Sequence, residues 1–508
     1  MIDLFKRPGF WVVVAVAAIL ATLHLPYPFT EDQATFTWGA QAMSEGARYY
    51  RDFWDVKQPG IYWWYELAGR LFGFDTFGIR WMDLLWAVVV APIVWAATRR
   101  RGELAGVLAA CLSFGAFYAK TGPLHLSQLE WLIGGPLAII LWCLGGEAAA
   151  KPGDGRVEWR YAWVGVMVTV VATFKLMVVL VPVSMLLVAL GHSRWSQRQS
   201  WHQILRAKAV PTVVGAAASS LLVVAWLALD GTLYAALWAA FVYPPQALRE
   251  YVHGPLFRLE WSFHWFRRGN IWLAPWAIWA VWMGIRHARR LELICIAWGL
   301  SALLVISMQL LSYWEYHFDL LFMPLGVLAA LGFCDVLQRL TQHGRPVMLR
   351  LAVVAAMLVS VAACMLAPLT AKTLRFARAI PFTPERLVAF EAEVDGLLPI
   401  LRQTAPSLDR LSSPHDRVVI WGDQRLYALI DRRPVLLMNG NTRFLREQLT
   451  QAVDQLRQAP PPLIYIGAGR DVLTLHDGGS LTKLVQDLYV RCGSDDLGNW
   501  YRPRAGGC

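Results

Sequence analysis

Residues 161–190 read YAWVGVMVTVVATFKLMVVLVPVSMLLVAL. A helix that crosses a bilayer needs roughly 20 apolar residues. This run is long for one span and just long enough for two short ones, with Lys175 at its middle and Pro182 soon after. The choice sets the topology of the whole chain. Read as two spans meeting near Lys175, it places six basic groups in alternate gaps: Lys6/Arg7, Arg99–Arg101, Lys151/Arg156/Arg160, Arg194/Arg198/Arg206/Lys208, Arg286/Arg289/Arg290 and Arg339/Arg345/Arg350. All then face the cytoplasm, as the bias of Lys and Arg toward cytoplasmic loops requires. Read as one span, the run breaks that alternation.

Working outward, further apolar runs lie at about 9–26, 78–98, 104–119, 128–146, 210–228, 271–286, 292–310, 317–337 and 349–368. With the pair, the expectation is a polytopic α-helical membrane protein of about eleven spans. The first run lacks a small-residue cleavage site and is read as a retained span with a cytoplasmic N-terminus. Composition agrees. Of the 508 residues, 56% are hydrophobic and 16% charged, whereas a soluble domain carries about a quarter charged residues. Tryptophan, 26 in number, suits membrane interfaces. The net charge of +11 sits in short loops between apolar runs, so topology explains it and a nucleic-acid partner is not expected. No internal repeat stands out.

From about residue 371 the character changes, giving a division into 1–370, the membrane part, and 371–508, a small soluble α/β domain on the outer face. Arg417–Trp421 (RVVIW), Pro434–Met438 (PVLLM) and Leu463–Gly467 (LIYIG) read as strands; Thr442–Gln458 and Ser480–Val490 read as helices. Strands alternating with helices imply an α/β layer. The GAG at 467–469 is read as a turn, since a lone GxG is a weak nucleotide signature. Five of the seven cysteines lie in or beside apolar runs and read as small buried hydrophobes. Cys492 and Cys508 stand in the tail; an oxidising compartment permits a disulfide, and their separation in sequence leaves the pairing open.

The loop after the first span, about 26–77, is too polar for lipid. Its core is Thr30–Gly60, TEDQATFTWGAQAMSEGARYYRDFWDVKQPG. Thr30 and Gln33 fit a capping box, predicting a helix to about Ser44 with Phe36, Ala40 and Met43 on one face and Gly46 as its stop. That helix is expected to lie along the membrane surface. Glu31 and Asp32 fall in its first turn, where the helix dipole favours an ionised carboxylate. Asp32 there is either a general base or, with Glu31, a stabiliser of the helix start. Pro59 is placed to open a second helix, IYWWYELAGRLFG. Lys57, just ahead of it, is either a phosphate contact or a loop lysine paired with Asp55.

Other candidates are the ionisable residues near span ends, which in lipid are functional hypotheses. They are Glu130, which reads equally as an interfacial carboxylate, Lys175, and Tyr316 with His317, the latter more often structural. The region 229–270, with His253, Arg258, Arg267 and Arg268 among aromatics, suits a phosphate headgroup, or is a solvated basic loop.

These residues resemble a known group. An acidic pair at 31–32 followed by G-x-x-Y-Y-R-D-x-W-D-x-K-x-P-G at 46–60 resembles the GT-C superfamily, in particular bacterial relatives of protein O-mannosyltransferases and of the lipid A aminoarabinose transferase. FGIR at 77–80, the acid at 130, FKLMVVLVP at 174–182, YHFDLLFMPLGVLAA at 316–330 and RVVIWGDQRLYALIDRRPV at 417–435 are similar to that group as well. The resemblance implies a GT-C-like fold in the inner membrane and an inverting transfer of a sugar from a polyprenyl-phosphate donor, on the periplasmic face, to a glycan, lipid or protein acceptor. It implies Asp32 as base with Glu31 beside it, and Lys57 at the lipid phosphate. It places Asp55, Arg80, Glu130, Lys175, Arg258, Tyr316 and His317 among donor-binding residues. Gln33, Val56 and Gln58 depart from its pattern, and Val56 replaces an acid that often precedes the lysine. No cofactor and no metal ligand is therefore assigned, although a divalent metal is compatible with the group. A transporter or flippase of lipid-linked sugars is the competing class; such proteins often show repeated halves, which this chain lacks.

Overall fold

A computed structural model describes residues 5–146, 157–250, 254–267, 270–310, 313–343, 345–436, 445–467 and 480–508. Lys151, Arg156, His253, Arg268, Leu437, Met438, the start of the helix expected at Thr442, and Ala468–Gly469 lie outside them. The chain divides into two compact units. One takes Met1–Leu25, Arg80–Trp226 and Val252–Arg378; the other takes Pro26–Ile79, Leu227–Tyr251 and Ala379–Cys508.

In the first unit, apolar runs become helices. Seven among the described residues are long and apolar enough to cross a membrane: Thr76–Arg101, Glu103–Lys120, Leu176–Trp195, Trp201–Leu229, Arg290–Met308, Glu315–Gln342 and Val347–Ala379. Pro8–Thr22, Leu129–Gly145 and Arg160–Phe174 are shorter apolar helices. The run at 161–190 does break at its charge. Helix Arg160–Phe174 ends, Lys175 is extended at φ −159°, and a single 3-10 turn, Leu176–Val179, leads into helix Leu180–Trp195. Small residues set the closest approaches, as they do where lipid offers no hydrophobic drive between helices. A Cβ on Gly326 would lie 2.4 Å from Ser113 Oγ, and one on Gly165 would lie 2.0 Å from the Thr212 carbonyl.

The second unit gathers the first loop with the tail. The helix expected after Thr30 runs Glu31–Ser44; the Thr30 N–H donates to Gln33 Oε1 at 3.1 Å, as a capping box requires. Gly46, at φ +100°, stops it in a left-handed conformation that costs glycine little. Phe36 and Ala40 are fully buried, and Phe36 meets Tyr62 and Tyr65 edge-on at 5.7 and 5.4 Å. That face is therefore covered by protein, by the second helix Gly60–Phe72, which follows Pro59.

The tail holds a five-stranded sheet in the order β2-β1-β3-β5-β4. β1 (Arg417–Trp421) pairs in parallel with β2 (Arg433–Pro434) and with β3 (Ile464–Gly467). β5 (Gly498–Pro503) runs antiparallel to β3 and to β4 (Tyr489–Asp495). Val418, Ile420, Leu426, Leu463 and Tyr465 form its core with Leu401 and Leu408 from helix Leu398–Arg410. The β4–β5 hairpin was not expected; the predicted helix at 480–490 stops at Leu488, and Tyr489 opens β4. The second strand is shorter than PVLLM. Cys492 and Cys508 form a disulfide. The stretch 229–270, read as a loop, is largely helical, including Tyr243–Glu250 and Pro255–Arg267.

Candidate active site

Two groups of the expected site residues come together, one within each unit. In the second unit, Lys57 is the centre. Its Nζ lies 3.4 Å from Asp32 Oδ1 and 3.8 Å from Asp55 Oδ2, and 4.7 Å from the centroid of the Phe36 ring. Asp32 is in the first turn of Glu31–Ser44, so its backbone position is fixed by the cap. Lys57 is fixed differently: Tyr49 and Tyr50 hydroxyls both donate to its carbonyl, at 2.6 and 2.7 Å. Asp55 is the buried member, with a side chain only 6% exposed against 22% for both Asp32 and Lys57. It accepts from the Tyr62 hydroxyl at 2.9 Å and from the Val56 N–H at 2.6 Å.

Burial first, then the Asp55 carboxylate, hold the Tyr62 phenol well above its usual pKa, so Tyr62 remains a donor across ordinary pH. Burial and Tyr50 do the same for Tyr49. A carboxylate fixed by two donors cannot swing, and it pins the ammonium that faces it. The result is an accessible carboxylate, Asp32, beside an accessible ammonium, Lys57, on a rigid base. Such a pair can take a proton and neutralise an anion within one small area.

In the first unit, Glu130 plays the buried part. Its Oε1 accepts from Lys175 Nζ at 2.6 Å and faces His317 Nδ1 at 2.8 Å. Lys175 Nζ also donates to Gln309 Oε1 at 2.6 Å. The extended backbone at Lys175 is what frees its side chain from helix Arg160–Phe174 to make these contacts. The Tyr316 ring stands edge-on to His317 at 4.6 Å. Nearby in sequence, His125 Nδ1 lies 2.9 Å from Asp319 Oδ1 and its Nε2 lies 3.6 Å from Glu315 Oε2.

The expected site residues thus sort unevenly. Asp32, Lys57 and Asp55 come together, as do Glu130, Lys175, His317 and Tyr316. Arg80 is buried in a set of its own, donating to Ser127 Oγ at 2.8 Å and to Asp83 Oδ2 at 3.3 Å. Arg258 donates to the Ser307 carbonyl at 3.1 Å. The Glu31 carbonyl accepts from Thr35 Oγ1 at 3.0 Å inside the helix. Sequence reasoning missed the supporting groups Tyr49, Tyr50, Tyr62 and Gln309. The paired tyrosines of the loop were visible as part of the motif; Gln309 gave no signal, since nothing marks one glutamine at a span end. Among the described residues no three His, Cys, Asp or Glu side chains are grouped to hold a metal ion. Lys57 sits where a cation beside Asp32 and Asp55 would stand, so the residues do not fit a metal there and no step is derived through one.

A family model described as dolichyl-phosphate-mannose-protein mannosyltransferase matches residues 56–218. The segment includes Lys57, Arg80, Glu130 and Lys175 and begins after Asp32. Among solved structures, ArnT from Cupriavidus metallidurans bound to undecaprenyl phosphate superposes with a TM-score of 0.61 at 14% identity, over 97% of this chain and 98% of that one. The fold is that of the GT-C glycosyltransferases. The Archaeoglobus fulgidus oligosaccharyltransferase tethered to an acceptor peptide shares this GT-C fold more distantly, with a TM-score of 0.51 at 13% identity over 98% of this chain and 74% of its own. No curated protein matches the sequence. The matched family and both solved neighbours are glycosyltransferases, in agreement with the class that the sequence resembles; most of the first-loop motif, Asp32 included, lies before the matched segment.

Proposed function

We propose that this chain transfers a sugar from a polyprenyl-phosphate donor to a glycan, lipid or protein acceptor on the periplasmic face of the bacterial inner membrane, across which it winds about eleven times. The observation that carries the reading is the Asp32–Lys57 pair, 3.4 Å apart and seated on buried Asp55. Asp32 accepts the proton of the acceptor hydroxyl or amine as that atom attacks the anomeric carbon. The bond from anomeric carbon to phosphate oxygen breaks as the new bond forms, which inverts the centre. The electron pair leaves with the polyprenyl phosphate, an anion stable without protonation, and Lys57 neutralises it. Lys57 faces two carboxylates, so its charge is already balanced before a donor arrives. An incoming phosphate competes with Asp32 for the ammonium, and this leaves Asp32 free to act as base. Asp55 stays paired because its other two donors hold it. Arg80, Glu130, Lys175, Arg258, Tyr316 and His317 are proposed as donor-binding residues on the resemblance alone, with Glu31 supporting the helix start.

Support comes from the family segment, which includes Lys57, and from a fold shared with ArnT bound to undecaprenyl phosphate. The test uses the full chain in proteoliposomes with a panel of undecaprenyl-phosphate-linked sugars and an envelope extract as acceptor. Undecaprenyl phosphate release is expected for the wild type, with a loss of about 100-fold or more in Asp32→Asn. Retained turnover in that variant removes Asp32 as base. Movement of the donor across the bilayer without sugar transfer overturns the enzyme reading.

A further inference from the structure

Helix Glu31–Ser44 is held at both ends by the tail. At its start, Arg425 donates through Nη1 to the Phe29 carbonyl at 3.4 Å, one residue before the Thr30 cap. At its end, Arg433 pairs with the Glu45 carboxylate, and Glu45 is the residue that closes the helix. Along its length, the short helix Arg425–Ile430 packs against it. Just upstream, Tyr27 meets Phe390 of helix Pro384–Val394 edge-on at 5.2 Å.

Arg425 is more than a surface contact. It is buried. Nε and Nη2 donate to the Asp423 carboxylate, at 2.9 Å to Oδ1 and 2.6 Å to Oδ2, and Nη1 donates also to the Asp395 carboxylate. Asp423 follows β1, and Asp395 closes helix Pro384–Val394. The guanidinium therefore joins three pieces of the tail and the backbone that leads into the Asp32 turn. A planar fork with five donors does this; an ammonium on a flexible stem does not. The Arg433–Glu45 pair is exposed on both sides and contributes less.

We propose that the C-terminal α/β domain acts as a positioning platform for Asp32, with Arg425 the residue that sets the start of its helix and Arg433 a weaker tie at the end. The inference rests on the reading of Asp32 as base. A base displaced by about 1 Å costs on the order of 100-fold in rate, so a domain that fixes the first turn of Glu31–Ser44 governs turnover without touching substrate. Arg425 and Arg433 are positioning residues, not catalytic ones.

The test compares wild type, Arg425→Lys, Glu45→Arg, Arg433→Glu and the double reversal in the full-length protein in micelles. Amide hydrogen exchange across Glu31–Ser44 is expected to quicken about 10-fold or more in Arg425→Lys, with exchange in Gly134–Gly145 unchanged. Turnover of the undecaprenyl-phosphate-linked sugar is expected to fall about 10- to 100-fold in kcat while donor KM stays within about twofold. Each single reversal loses about twofold, and the double reversal recovers it. Unchanged exchange across Glu31–Ser44 overturns the proposal, as does turnover lost only in proportion to unfolded protein. If Asp32→Asn keeps full turnover, the base assignment fails by itself, and the exchange measurement still decides whether the tail fixes this helix.

Discussion

Lys57 and Lys175 each face a buried carboxylate, but the two arrangements have different tolerances. Lys57 has two carboxylates to share its charge, and Asp55 keeps two donors of its own if the lysine withdraws. Lys175 relies on Glu130, whose side chain is fully buried while that of Lys175 is 20% exposed. Removing one partner of a buried pair costs about 3 to 5 kcal/mol, chiefly because the other charge is stranded. The exposed fraction of Lys175 lets water recover part of that, so Glu130→Gln is expected to destabilise by about 2 to 4 kcal/mol. Glu130→Gln/Lys175→Met is expected to lose less than Glu130→Gln alone, because it strands no charge. Unfolding midpoints of the three proteins in one detergent check this; a double variant weaker than the single would show that the pair is not the source. At this scale much was legible. A threonine and a glutamine three apart announced the cap, and a charge in mid-run announced Lys175. Asp55 was legible only as a partner for Lys57. Its burial depends on Tyr62 folding back from the next helix, which no spacing rule states.

At the scale of elements, the turn Pro123–His125 and the 3-10 segment Glu315–Leu321 are joined by a titrating contact. Burial alone would lower the His125 pKa, but the Asp319 and Glu315 carboxylates outweigh it and carry it up to about 9. The folded value thus lies above the unfolded one of about 6.5. A raised histidine contributes its full stabilisation below the unfolded pKa and loses it as pH rises through the folded one. The difference in unfolding midpoint between wild type and His125→Gln is therefore expected to be largest near pH 6 and to shrink toward pH 9.5, a change on the order of 2 kcal/mol. A difference that is flat with pH would mean that the imidazole titrates alike in the folded and unfolded chains. Neither partner of this contact could be joined from sequence, since the separation between residues 125 and 319 follows from helix packing. Elements were readable where one signal dominated, as in β1 or Gly60–Phe72. They were misread where signals compete. Tyr489–Asp495 follows an amphipathic helix without a Gly or Pro break, so the helical period ran on past Leu488, and charge among aromatics disguised the helices between 233 and 267.

For the whole molecule, the decisive issue is the side of the membrane on which each stretch lies. Apolar length alone yields seven long helices and three shorter ones among the described residues, and length is ambiguous where two short helices meet, as they do at Lys175. The charge pattern proposes an answer where length does not, because moving Lys and Arg across a membrane is costly and loops that hold them tend to stay cytoplasmic. On that reading Ser196, beyond the end of helix Leu180–Trp195, is cytoplasmic, and Ser413, between helix Leu398–Arg410 and β1, is periplasmic. Both are exposed, so neither position disturbs packing. The free cysteines Cys111, Cys143, Cys295, Cys334 and Cys364 are first replaced by alanine, leaving the Cys492–Cys508 disulfide in place. In intact spheroplasts an impermeant maleimide is expected to label Ser413→Cys at once and Ser196→Cys only after permeabilisation. The reverse pattern would mean that both sites have changed sides, as they do if 161–190 is one span kinked at Lys175 or if the N-terminus lies outside. Labelling of both without permeabilisation would mean that the number of spans between them is even, so that one of the five apolar runs between 210 and 368 does not cross.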